Sequence, residues 1–214
     1  MKKAGCFAIG GQKMEKRTRT FKQLQKEKTL EELNHFAKEV TELYARSVIE
    51  YTQSKVARDN KLTITGLRDL MDYAIVTAVV TRETANLILA KAMENQRRKR
   101  QDAGASSLEH YQKLIKERED YLAQFFSRVE VKKITEHIAN APSMSISYFT
   151  KAYKIESDRL TKLLLKRAIV EGIVSDEVMK EIIRRSLRNN KTEATIQYFE
   201  NLRKAREEYK THPC

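Results

Sequence analysis

The stretch Ala74-Ile75-Val76-Thr77-Ala78-Val79-Val80-Thr81 returns 94 residues later as Ala168-Ile169-Val170-Glu171-Gly172-Ile173-Val174-Ser175. From Ala74 to Gln96, seven of 23 positions are identical at this offset. Ile88/Ile182, Leu89/Ile183, Lys91/Arg185 and Met93/Leu187 keep their character, and upstream Leu70 meets Leu164 and Arg68 meets Lys162. Any two amphipathic helices share a rhythm. These segments also share an order: helix, Ala-Ile-Val, a small residue, two apolar residues, then a hydroxyl able to cap the next helix. That order points to an internal duplication. The chain then consists of two related modules joined near residues 97–106. A packed pair of modules carries two related surfaces, as binding proteins often do and single-site enzymes need not.

The modules read as all-α. Six glycines and two prolines in 214 residues leave few turn-formers for hairpins, and glycine-rich nucleotide folds are excluded almost by count. A first helix starts at Thr29, which forms a capping box with Glu32, and carries Leu33, Ala37, Val40 and Tyr44 at helical spacing toward about Arg58. Further helices are expected at 65–79 and from Thr81, with Ala85, Ile88, Leu89, Ala92 and Met93 facing inward. Ser106 with Glu109 opens another, carrying Tyr111, Leu114, Ile115, Leu122, Phe125 and Phe126 on one side. Helices near 131–140, 145–153, 157–171 and 176–189 follow, and Asn190 with Glu193 begins the last. The expected organisation is a basic arm over 1–28, a first module over 29–100 and a second over 101–214.

Net charge is +13, unevenly spread. Residues 1–28 hold nine Lys/Arg against two Glu, and Arg97, Arg98, Lys99 and Arg100 form a second tract. The rest of the chain is almost balanced, which is the pattern of an interaction arm. Phe21 and Leu24 are the arm's only well-spaced apolar pair. That is too little to offset the roughly 1–2 kcal/mol per residue lost on ordering backbone. Residues 1–15 are therefore expected to be disordered in isolation. Residues 16–28 should order only on a partner or by extending the first helix.

Residues 146–166, ISYFTKAYKIESDRLTKLLLK, resemble a helix-turn-helix. Phe149, Tyr153, Ile155, Leu160 and Leu163 fall where that motif keeps its apolar contacts. Two features depart from it. Lys154 stands at the turn position usually given to glycine, and Glu156, Ser157 and Asp158 open the second helix with two carboxylates. The residues expected to contact nucleic acid are Lys16, Arg17, Arg19 and Lys22 in the arm; Arg97, Arg98, Lys99 and Arg100; Lys154, Ser157, Arg159 and Lys162 in the hairpin; and Lys180, Arg184 and Arg188, which share one helix face. Contact with about six phosphates would give affinity a log–log salt slope near −5.

Signs of catalysis are lacking. The four histidines are scattered without metal spacing, and no glycine loop or nucleophile elbow is present. Glu31, Glu32, Glu117 and Glu119 are interleaved with Lys and Arg and read as ion-paired helix surface. No enzyme, cofactor or metal is expected. Cys6 and Cys214 form no disulfide framework, which suggests a reducing compartment. Ala4-Gly5-Cys6 is similar to a lipoprotein cleavage site, but the apolar run before it is missing. The apolar part of MKKAGCFAIGG is shorter than the roughly 7–15 residues of a secretory core. A cytoplasmic location is the default expectation, and since Met14 begins a more natural helical sequence, residues 1–13 read as an extension with no fold of its own.

The leading expectation is a DNA-binding regulator or accessory factor in transcription, with DNA favoured over RNA and no membrane role. The alternative is a helical scaffold that binds another protein or self-associates. Its seam would be Leu33, Val40, Ser47 and Leu43, Tyr44, Val48, in a roughly seven-residue rhythm.

Overall fold

A computed structural model describes residues 18–47, 52–98, 105–189 and 191–211. Eleven helices and no strands are found among them. In chain order they are α1 (Phe21–Glu27), α2 (Leu30–Arg46), α3 (Gln53–Asp59), α4 (Ile64–Val76), α5 (Arg82–Arg98), α6 (Ala105–Ala123), α7 (Arg128–Asn140), α8 (Ile146–Ala152), α9 (Asp158–Val170), α10 (Asp176–Asn189) and α11 (Glu193–Thr211). The all-helical expectation holds.

Side-chain hydroxyls open most of these helices. Thr29 and Glu32 form the expected box on α2, and Thr20 with Gln23 and Ser127 with Glu130 form two more. Each satisfies amide groups that the first helical turn leaves unpaired. At α11 the Thr192 hydroxyl accepts from the Thr195 amide and caps the helix; Asn190, the expected start, lies outside the described residues.

The single helix expected over 29–58 is two. α2 ends at Arg46, where Ser47 turns extended (ψ 149°) and donates its hydroxyl to the Tyr44 carbonyl. Lys91 reaches the same carbonyl from α5. These side-chain donors satisfy the orphan end of the helix and let it stop. The proposed seam is not a free face, because Leu33, Val40 and Tyr44 lie in the chain's own core. Val48 is outside the described residues.

The arm also differs from expectation. Its first 17 residues, including Lys16 and Arg17, lie outside the described set. Residues 21–27 form a separate helix packed on α4, with Leu24 fully buried and Phe21 5.4 Å from the Tyr73 ring. One buried leucine contributes about 1.5–3 kcal/mol. The backbone adds more: the Arg19 amide donates to the Lys61 carbonyl (2.9 Å) and the Thr63 amide to the Arg19 carbonyl (3.0 Å). This crossing needs Gly66. A Cβ there would stand 2.8 Å from the Arg19 carbonyl oxygen and 3.1 Å from Thr20 Cα. Gly66→Ala should therefore force backbone apart and cost about 1–3 kcal/mol in urea unfolding. An unchanged midpoint would contradict the close approach.

The core of the first half gathers Leu33, Val40, Leu67, Leu70, Ile75 and Ile88 with Tyr111 and Leu114 of α6. That of the second half gathers Ile134, Ile138, Phe149, Leu160 and Leu164, continuing through Ile169, Ile182, Phe199 and Leu202. In the first half α2 packs on α4 and α5, α3 on α4, and α4 on α6. In the second, α7 packs on α9 and α10, α8 on α9, and α9 on α11. α6 also packs on α9, so it joins the two halves.

Backbone detail recurs as well. Lys61 (φ 55°) and Lys154 (φ 53°) are left-handed, as are Ala78 (φ 59°) and Gly172 (φ 62°). The Leu62 amide donates to Ala57 and the Ile155 amide to Thr150, both at 2.8 Å. A left-handed residue after a helix leaves carbonyls facing inward, and a buried arginine takes them in each half. Arg118 Nη1 donates to Ile75 (3.0 Å) and Val80 (2.7 Å). Arg206 donates to Ile169 (2.8 Å) and Val174 (2.9 Å). The planar guanidinium can serve two carbonyls at once. Lys91 and Arg185, 94 residues apart, likewise reach the closing carbonyls of α2 and α7.

Candidate nucleic-acid interface

The helix-turn-helix-like segment folds as α8, a five-residue turn, and α9. Ser145 caps α8 and Ser157 caps α9. Phe149, Ile155, Leu160 and Leu164 are buried where the two helices meet, and the Thr150 and Thr161 hydroxyls bond across the pair at 2.8 Å. His137 Nδ1 lies 2.9 Å from the Tyr153 hydroxyl and pins the end of α8 to α7. Lys154 adopts the left-handed turn despite its Cβ, at a cost the surrounding packing must offset. Leu163 is only half-buried.

The outer side of this hairpin is cationic. Lys151, Lys154, Lys162 and Lys166 are all exposed. Lys162 and Lys166 stand one turn apart on α9. Asp158 is the acid among them. Its pKa is held below the ordinary aspartate value chiefly by the Ser147 hydroxyl, then by Thr150, with the charges of Lys162 and Lys151 adding to the effect. Sequence reasoning picked Lys154 and Lys162 but missed Lys151 and Lys166. Individually both look like ordinary solvated helix lysines; in the fold Lys151 faces the same Asp158 as Lys162, and Lys166 stands one turn from Lys162.

The first turn of α9 faces inward, onto α6. Ser157 donates to Glu119 (2.6 Å), and Arg159 donates to Glu119 (2.9 Å), to Asp120 (3.0 Å) and to the Lys116 carbonyl (3.0 Å). Glu156 accepts both Arg118 Nη2 (2.6 Å) and Nε (2.9 Å). Ser157 and Arg159 thus belong to an internal polar lattice rather than to the hairpin's outer side.

Glu119 is a correction to the sequence reading. It is 2% exposed, not a surface residue, and its partners are Arg82, Arg159 and Ser157. Burial pushes its pKa up, but the bonds from Ser157, Arg82 and Arg159 outweigh that and hold it below the ordinary value of 4.5. A depressed folded-state pKa stabilises the fold fully above that ordinary value. The contribution disappears as pH falls through the lower folded value. Thermal midpoints taken from neutral pH down through this range should therefore fall more steeply for the native chain than for Glu119→Gln. Parallel curves would contradict the assignment.

The other expected contacts are dispersed. Arg19 is half-buried, 3.5 Å from Glu27 and over the Phe36 ring, while Lys22 is exposed on α1. Arg97 and Arg98 end α5 with side chains outside the described set, as are Lys99 and Arg100. Lys180, Arg184 and Arg188 line the exposed side of α10, opposite Ile182 and Ile183, and Arg184 pairs with Glu181 at 2.5 Å. Among the described residues, no three His, Cys, Asp or Glu side chains converge as a metal site requires. No described helix is long and apolar enough to cross a membrane.

No family model matches this chain, and no curated protein or solved structure is detectably similar to it.

Proposed function

We propose that this chain is a nucleic-acid-binding protein, a DNA-binding regulator or accessory factor, that grips phosphates with the outer side of the α8–α9 hairpin. The observation that carries this reading is that one hairpin exposes Lys151, Lys154, Lys162 and Lys166, with Lys151 and Lys162 both close enough to Asp158 to lower its pKa and Lys166 one turn from Lys162. Lysines placed this way neutralise phosphates and release counterions.

The mode differs from groove reading by a helix N-terminus, because the first turn of α9 is engaged by α6. Contact then runs along the exposed side of α9 and the end of α8, so phosphate contact dominates base recognition. This favours an accessory factor over a stringent sequence reader. The hairpin's exposed aromatic, among the described residues, is Tyr148. A single ring is a poor stacking platform for unpaired bases, which favours duplex DNA.

Two related modules remain part of the proposal. It is supported by the paired left-handed residues, the paired carbonyl-binding arginines and the matching helix contacts in the two halves. The second module would hold the binding surface, since the first has Asp69 and Asp72 among the outward and half-buried residues of α4.

Amide hydrogen exchange on the full chain, with and without a short DNA duplex, tests the reading. Protection should concentrate at residues 146–166. Binding with protection confined to other segments would overturn it. A protein-partner reading is favoured by Phe125 and Val129, 65% and 77% exposed at the α6–α7 corner. Self-association through that corner should appear in sedimentation and vanish in Phe125→Ser/Val129→Ser.

A further inference from the structure

A cavity of about 470 Å³ opens between α7, the start of α8, α9, α10 and α11. That is within the usual range for small-molecule sites, roughly 300–1,000 Å³. Ile169, Ile182 and Leu202, each nearly or fully buried, give it an apolar floor. Lys162 and Lys166 stand at its rim, and Arg185, 5% exposed, forms part of its wall. Three cations line the space and, among the described residues, no carboxylate does.

Arg185 has no carboxylate partner among the described residues. Its Nη1 donates to the Ile138 (2.5 Å) and Ala141 (2.9 Å) carbonyls, and its guanidinium lies 5.4 Å from the centre of the Phe149 ring. These contacts offer it carbonyl dipoles and a ring face but no opposite charge. A buried charge is costly unless an opposite charge meets it.

The same place in the first half is arranged differently. With α8 set on α3 at an offset of 93 (as Ile155 on Leu62), α9 on α4 at 94 and α11 on α6 at 88 (as Arg206 on Arg118), Ile146, Lys162, Lys166, Tyr198 and Phe199 of the second half meet Gln53, Arg68, Asp72, His110 and Tyr111 of the first. There Arg68 donates to Gln53 (3.0 Å), Gln53 to Tyr111 (3.4 Å), and His110 lies 2.9 Å from Asp72. A smaller pocket of about 290 Å³, lined by Asp69 and Asp72 and by that polar lattice, stands at that position. In the second half the acid is replaced by Lys166 and much of the lattice by apolar side chains, so the larger space there is lined by cations and, among the described residues, by no carboxylate.

We propose that this cavity binds a carboxylate-bearing aliphatic amphiphile, with the carboxylate at the Lys162–Lys166 rim and the chain on the Ile169–Ile182–Leu202 floor. A fatty acid of medium length has both parts. A neutral alcohol of equal length lacks the charge, and the matching amine carries the wrong sign. The inference does not depend on nucleic-acid binding and reads out without it.

The test is calorimetric titration of the full chain with decanoate, kept below its micelle concentration, beside 1-decanol and decylammonium. Decanoate should bind saturably with one site per chain and raise the thermal midpoint, while decylammonium should give no saturable heat. Lys166→Asp, which restores the charge found at Asp72, sits on an exposed position that should not disturb folding. It should weaken decanoate at least tenfold. Ser186→Phe, directed into the cavity from α10, should abolish binding in chains whose circular dichroism is native. No saturable decanoate binding, equal affinity for the three amphiphiles, or full affinity in Lys166→Asp would each overturn the proposal.

Discussion

Arg118→Met is expected to lower the unfolding free energy by about 3–5 kcal/mol, the range for breaking a buried ion pair by removing one partner. Arg118 is 2% exposed and serves three groups. It closes the Ile75 and Val80 carbonyls of the first half and binds Glu156 of the second through two nitrogens. Methionine replaces the packing volume but supplies no donor, so two carbonyls and a carboxylate lose their partner together. Arg206→Met should cost less. Its acid, Asp176, keeps half its side chain in water, whereas Glu156 is 28% exposed. Urea unfolding of the two variants gives both numbers. A loss under about 1 kcal/mol for Arg118→Met, or a larger loss for Arg206→Met, would show that α6 does not join the halves through this residue.

The second large effect is on binding. Replacing Lys151, Lys154, Lys162 and Lys166 together with glutamine should weaken binding to a DNA duplex by about a hundredfold or more at low salt. All four side chains are exposed, so the thermal midpoint should stay near that of the native chain. The same number of substitutions at Lys38, Lys55, Lys113 and Lys204, on other helices, should have a much smaller effect. Anisotropy with a labelled duplex measures both. Equal weakening by the two sets would mean that net charge alone governs binding.

The helices were legible because their apolar residues recur at helical spacing and because threonine and serine caps stand in the right places; the core positions Leu33, Ala37, Val40 and Tyr44 follow directly. Leu24 was not legible. One leucine in a basic stretch looks too weak to hold a helix, and its burial depends on Gly66, more than 40 residues away, admitting the Arg19 backbone. Arg118 and Glu119 were hidden by the rule that charged residues belong outside. A signal did exist. Lys116-Glu117-Arg118-Glu119-Asp120-Tyr121 resembles Lys204-Ala205-Arg206-Glu207-Glu208-Tyr209, but at an offset of 88 rather than 94. The segment between α5 and α6 is longer than that between α10 and α11, and the change of register conceals the match. Of the residues proposed to contact phosphates, Lys154 and Lys162 follow from the hairpin pattern. Ser157 and Arg159 were chosen from the same pattern, and no local feature revealed that α6 would cover them.

Salt dependence separates the proposed phosphate grip from nonspecific charge most directly. Duplex affinity should be followed across a range of salt for the native chain and the four-lysine glutamine variant. The expected log–log slopes are about −5 for the native chain and about −2 for the variant, since each phosphate contact contributes about −0.9. A flat native slope, or a variant that keeps the native slope, would contradict phosphate contact by the α8–α9 hairpin.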